Sequence, residues 1–328
     1  MPTKKTKKIS VRKAVRKTKP VLQQDAPVTT KSTSNFMIYV YWLVIVLFVG
    51  TTCYMLTRQK TVHVPSQQIV QMTEPTTTDE AVPYFESGKQ KLIMGDTVGA
   101  LNDFTIAIER NPSPLNYVYR GEVLMTGANY EAAVADFVSA TNMNPNFIVA
   151  YYDMALANIK LEKLDAAKSN LDEAAKRYPR YSEETMVSEH DIYAKRAQVN
   201  LWLRNWEDAE KDYTTAISKT GGELDWNDYA GRAEARTNSG AYDTAIQDYA
   251  SSVAIISDQI QNAPDTRTRE NMSRQAMGYF EKSAALRVKI GQLDLANEDL
   301  QAAYKLAAAL DDKDNMARLS SLISNLEK

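Results

Sequence analysis

The chain has one cysteine, Cys53, and two histidines, His63 and His190. A single thiol excludes an intramolecular disulfide. Two histidines so far apart in sequence do not make a metal site of the usual His/Cys kind. There is no glycine-rich phosphate loop, no H-E-x-x-H and no C-x-x-C. Nucleophilic catalysis also lacks its parts, because Cys53 lies in an apolar run and His190, at a helix start, reads as a surface residue rather than a base. Acid pairs such as Glu183-Glu184 and Asp311-Asp312 read as solvated faces of an acidic helical protein. These absences predict that the chain is not an enzyme and takes neither cofactor nor metal.

Charge is unevenly spread. The formal net charge is −2, yet residues 1–58 hold eleven of the 39 Lys and Arg and one of the 41 Asp and Glu, which leaves the remainder near −12. An acidic remainder excludes nucleic acid as its partner, since phosphate binding needs a basic face. Residues 1–35 crowd Lys4, Lys5, Lys7, Lys8, Arg12, Lys13, Arg16, Lys17 and Lys19 with few apolar residues, the composition of a disordered basic tail.

No charge occurs from Phe36 to Leu56, FMIYVYWLVIVLFVGTTCYML. As a helix this run is about 31 Å long, against a hydrocarbon core of about 30 Å. Tyr39, Tyr41, Trp42 and Tyr54 stand towards its two ends, where interfacial aromatics belong. No A-x-A-like cleavage site follows, so 36–57 reads as a retained transmembrane helix rather than a signal peptide. The excess of Lys and Arg before it predicts a cytoplasmic N-terminus and an extracytoplasmic C-terminal part, as in a bacterial inner-membrane protein. Residues 58–80, rich in Thr, Gln and Pro, read as a flexible linker.

From Ala81 onward a period of about 34 residues lies beneath the helical one. Gly88, Ala100, Phe104, Ala107 and Pro112 recur 33 residues later as Gly121, Ala133, Phe137, Ala140 and Pro145, and a further 34 on as Ala155, Ala167, Leu171, Ala174 and Pro179. Looser units carry Ala197 with Ala209, Ala233 with Ala245, and Ala284 with Ala296; a run Tyr-x-x-Arg-Gly/Ala recurs at Tyr117, Tyr193 and Tyr229. The pattern resembles the tetratricopeptide repeat: an aromatic and a small residue on helix A, Ala-x-x-x-aromatic-x-x-Ala on helix B, and a closing proline. The resemblance covers about 81–310 and implies an all-α fold, a right-handed α-solenoid of about six helix-turn-helix units after the single transmembrane helix. The units fall at 81–113, 114–147, 148–181, 190–223, 226–259 and 277–310. Gly95, Gly240 and Gly291 fall in A-to-B turns, and each proline ends the helix before it, at Asn111, Asn144 and Tyr178. Residues 311–328 form a capping helix with Met316, Leu319, Leu322, Ile323 and Leu326 on one stripe.

The resemblance further implies that peptides or helices of partner proteins bind an inner groove lined by helix A. By the repeat register this lining comprises Phe85, Lys89, Leu92, Val118, Glu122, Tyr152, Leu156, Ile159, Gln198 and Trp202. Phe85, Lys89, Tyr119, Val149 and Asp153 occupy the places where chaperone-binding repeats carry paired Lys and Asn, so that carboxylate clamp is not expected. The expected function is a membrane-tethered scaffold or adaptor that recruits or assembles partner proteins. The alternative is a receptor in protein targeting or translocation that displays its repeats to the cytosol, and membrane sidedness separates the two.

Overall fold

The computed structural model describes residues 80–182, 185–220 and 225–327. The basic tail, the apolar run 36–57 and the linker, except for Glu80, lie outside them. Among the described residues no helix is long and apolar enough to cross a membrane, and the 13 helices are joined without any strand.

Six helix pairs follow in chain order: α1 Val82–Ile93 with α2 Thr97–Arg110, α3 Pro114–Thr126 with α4 Tyr130–Met143, and α5 Ile148–Lys160 with α6 Leu164–Tyr181. Then come α7 Glu189–Trp202 with α8 Trp206–Lys219, α9 Trp226–Ser239 with α10 Tyr242–Gln261, and α11 Thr266–Lys289 with α12 Leu293–Ala309. The odd-numbered member of each pair is helix A. A last helix, α13 Lys313–Leu326, buries Leu319 and packs Met316, Ile323 and Leu326 against the core of the sixth pair, while Leu322 stays 40 % exposed.

Small residues set the approach of the helices. Ala100, Ala133, Ala155, Ala167, Ala197, Ala209, Ala233, Ala245 and Ala296 are fully buried, and Ala284 nearly so. A Cβ on Gly88 would stand 2.9 Å from the Phe104 ring, and one on Gly121 2.5 Å from the Phe137 ring. Each glycine thus seats the ring one turn beyond the alanine of its own helix B. The Phe104 ring then stacks on Tyr119 of the next pair at 5.5 Å between centroids, closing the gap between units.

Every A-to-B turn has one residue with positive φ, followed by an amide bonded to the carbonyl five residues back at 2.8–3.0 Å. This is the Schellman closure of a helix end. Glycine fills the position at Gly95, Gly240 and Gly291 as expected, but Ala128, Glu162 and Arg204 fill it in the other three turns, and Asp311 repeats it before α13. Asn111 and Asn144 are extended caps before Pro112 and Pro145, as a following proline requires.

Two expectations fail at helix ends. The third unit's helix B does not stop at Tyr178 but runs through Pro179 to Tyr181. Proline keeps a helical φ, and so near the end its ring disturbs only one frayed bond. Tyr178 and Tyr181 also pack on Ile148 and Ile192, which holds the last turn in place. The sixth unit's helix A begins at Thr266, not near 277, because the polar stretch after the Asp265 cap contains no breaker.

An aspartate precedes the helix B aromatic or leucine in five units, buried in four of them and half-buried at Asp299. Asp136, Asp212 and Asp248 each receive two hydrogen bonds of 2.6–2.9 Å from the arginine sixteen residues earlier, Arg120, Arg196 and Arg232. Those arginines lie over Tyr117, Tyr193 and Tyr229, so the recurring Tyr-x-x-Arg run is a ring-cation-carboxylate stack. Asp103 is held instead by Ser87 and Lys91, and Asp299 by Ser283 and Arg287. The third unit has Met154 and Asn170 at these places.

Candidate partner-binding face

Packing decides which helix A residues remain for a partner. Phe85 and Val118 are each 2 % exposed. Phe85 lies edge-on to Phe104 and Tyr119, and Val118 belongs to the cluster around Phe137. Both are core, which corrects their assignment to the groove. The position aims at the neighbouring helix B once its small partner residue lets the helices close up.

The other expected residues keep some surface. Lys89 pairs with Glu86 at 3.2 Å and lies over the Phe85 ring. Leu92 and Ile159 pack partly on the cores of the first and third units, and Leu156 is half-buried. Trp202, at the end of α7, is 48 % exposed. Tyr152 and Gln198 are brought together in one open cavity of about 300 Å³, lined also by His190, Asp191, Lys195 and Asp228. Trp202, Leu156 and Ile159 do not line it.

His190 is the residue misjudged most. It does not stand free on the surface but links the start of α7 to α9, with Nε2 2.7 Å from Asp228 Oδ2 and Nδ1 3.3 Å from Asp191 Oδ1. Burial opposes the charged ring, but the hydrogen bond and charge of Asp228, then of Asp191, outweigh it and raise its pKa. Burial in turn raises the pKa of Asp228, against the pull of His190. Asp191 also closes the Ser188 capping box at the start of α7. That S-x-x-D signature was visible in the sequence, whereas the reach of Asp228 from the next unit was not. Lys195 donates to Gln198 at 3.1 Å, and burial lowers its pKa. Tyr152 is pushed up to about 12, mainly by burial and then by Asp191 and Asp153.

Near the cavity, Glu122 of α3 and Asp153 of α5 form an acidic pair. Burial pushes Glu122 up to about 7. Burial and then the charge of Glu122 push Asp153 up to about 8. Among the described residues no cluster of His, Cys, Asp and Glu has the arrangement of a metal site. What the face offers is shape, rings and mixed charge along successive A helices.

Solved structures share the helix-pair architecture. YrrB, described as a TPR protein with an unusual peptide-binding site, aligns over 64 % of this chain and 97 % of its own at 18 % identity, with a TM-score of 0.50. The fold is that of the tetratricopeptide repeat. A MamA RS-1 double mutant aligns over 57 % of this chain and 98 % of its own, at 15 % identity and a TM-score of 0.50. A tetratricopeptide repeat protein from Parabacteroides merdae spans 76 % of this chain and 99 % of its own at 15 % identity, with a TM-score of 0.47. No protein-family model and no curated protein matches the sequence. At these identities the likeness concerns the repeat architecture alone.

Proposed function

We propose that the chain is a membrane-tethered scaffold whose tetratricopeptide repeats recruit or assemble partner proteins along the helix A face of the first four units. The observation that carries this reading is the set of helix A side chains that internal packing leaves uncovered. Trp202 is half exposed, and Tyr152 and Gln198 border an open cavity rather than a sealed core. Aromatic side chains present large area at low entropic cost and are enriched among binding hot spots. YrrB, with its peptide-binding site, supports the reading by the use of the same architecture. The tether rests on the uncharged run Phe36–Leu56, and the sidedness on the basic residues before it.

Two measurements test the reading. Captured partners of the wild-type repeats are identified by mass spectrometry and compared with those of a Trp202→Ala, Leu156→Ala variant. Loss of the same partners, with a melting temperature within about 2 °C of wild type, is expected. Unchanged capture removes the face from consideration. Protease added to spheroplasts is expected to digest the repeats, while full protection would favour the receptor that faces the cytosol.

A further inference from the structure

Glu122 follows the small residue Gly121 on α3, and Asp153 stands two residues before the small residue Ala155 on α5. Three units later the same two places, after Ala233 and before Ala284, hold Glu234 and Lys282, which form an ion pair of 3.4 Å between α9 and α11. The repeat register therefore puts a glutamate of one helix A opposite a side chain of the next, and between units five and six that side chain is a cation. Between units two and three it is a second carboxylate.

Among the described residues no cation acts on Glu122 or Asp153. Lys89 is engaged by Glu86 and Lys195 by Gln198. Asp153 Oδ2 is closed off from solvent and has no hydrogen-bond partner, one of two such side-chain atoms among the described residues. An unsatisfied buried acceptor is destabilising, and its remedy is a donor. Charge-assisted donors satisfy carboxylates best.

We propose that Glu122 and Asp153 form a receptor for one basic side chain, lysine or arginine, on the segment that a partner lays along the helix A face. The inference rests on the scaffold reading and adds the chemistry of the ligand. Leu156, one turn beyond Asp153 on the same face, offers apolar surface to the alkyl stem of such a side chain. The cationic head takes the place that Lys282 takes opposite Glu234. Without a ligand, burial keeps Glu122 partly protonated at neutral pH, and burial with the charge of Glu122 keeps Asp153 mostly so. A cation displaces those protons, so binding strengthens as the pH rises from about 6 to 9.

The full chain in detergent is used to select from a displayed library of random twelve-residue peptides. Selected peptides are expected to share one fixed Lys or Arg. Replacing that residue by norleucine is expected to weaken binding to wild type about tenfold or more, and binding to Glu122→Gln, Asp153→Asn less than threefold. Peptides that bind wild type with no fixed basic position would overturn the receptor while leaving the scaffold reading standing. Selection of no peptide at all would count against both. A further variant guards against misfolding: Glu122→Lys supplies the cation from within. It should melt above wild type at pH 8 and bind the selected peptides no better than their norleucine forms. A Glu122→Lys protein that keeps the preference for Lys or Arg also refutes the proposal.

Discussion

Arg120 lies over the ring of Tyr117 and donates two bonds to Asp136, whose carboxylate is almost wholly buried. Removing the cation would leave that carboxylate unpaired, an effect of about 3 kcal/mol. Arg110, paired with Glu80 at 2.9 Å on an open surface, is the control: its loss should matter by no more than about 0.5 kcal/mol. Denaturant titration of Arg120→Ala beside Arg110→Ala checks the contrast, and equal losses would contradict the clamp. Half of this device was readable in the sequence. The Tyr-x-x-Arg run repeats visibly, whereas an aspartate before the next helix's aromatic is unremarkable in an acidic chain until folding brings it beneath the guanidinium. The same limit explains Phe85 and Val118. Periodicity places a residue on helix A, but which flank the adjoining helix covers depends on how closely the pair approaches.

Turns and glycines govern the helices as elements. Arg204 holds φ +60° where Gly95, Gly240 and Gly291 do so without strain. A left-handed non-glycine residue carries about 1–2 kcal/mol of strain, so Arg204→Gly is expected to raise stability by about 1 kcal/mol, measured by the denaturation midpoint. Glycines inside helices divide in two. A Cβ on Gly231 would meet the Tyr213 ring at 2.2 Å, whereas one on Gly278 has nothing within 4 Å. Gly231→Ala should therefore lose about 1–3 kcal/mol by overpacking. Gly278→Ala should gain about 0.5–1 kcal/mol from helix propensity. If both shift the same way, the packing of α8 on α9 is misread. The sequence pattern identified the tight glycines Gly88 and Gly121 by their phase with the alanines. It did not reveal the turns without glycine, because the Schellman closure is made by backbone groups alone. Nor did it anticipate that α6 would carry Pro179, since the flanking Tyr178 and Tyr181 hold that turn through a cluster that includes Ile148 and Ile192, residues far from it along the chain.

At the scale of the whole repeat array, titration and stability are linked. Glu122 and Asp153 have folded pKa values of about 7 and 8, above the ordinary carboxyl range, and His190 is raised as well. The folded state thus holds protons that the unfolded chain would release. The stabilisation from the two carboxyls is complete below about pH 4 and disappears as the pH climbs through 7 to 8. That from His190 is complete below its ordinary value of about 6.5 and fades above it. The melting temperature is expected to fall between pH 6 and 9, and less steeply in Asp153→Asn. A flat profile in the wild type would argue against both buried carboxyls.

The clamps that hold Asp103, Asp136, Asp212, Asp248 and Asp299 each close between residues sixteen or twelve apart. A latch of that span can be fastened as soon as its own hairpin has left the ribosome, before any later unit exists. Contacts so local favour rapid folding that begins in any latched hairpin and spreads outward. The third hairpin, with Met154 and Asn170 in place of the pair, lacks this clamp; Arg177 ties its two helices by donating to Tyr151 Oη at 3.1 Å, and Arg196 of the fourth reaches Asp172 at 2.9 Å. During synthesis the first two hairpins can therefore close their carboxylate clamps alone, while the third gains its arginine–carboxylate contact between helices only once Arg196 of the fourth has been made.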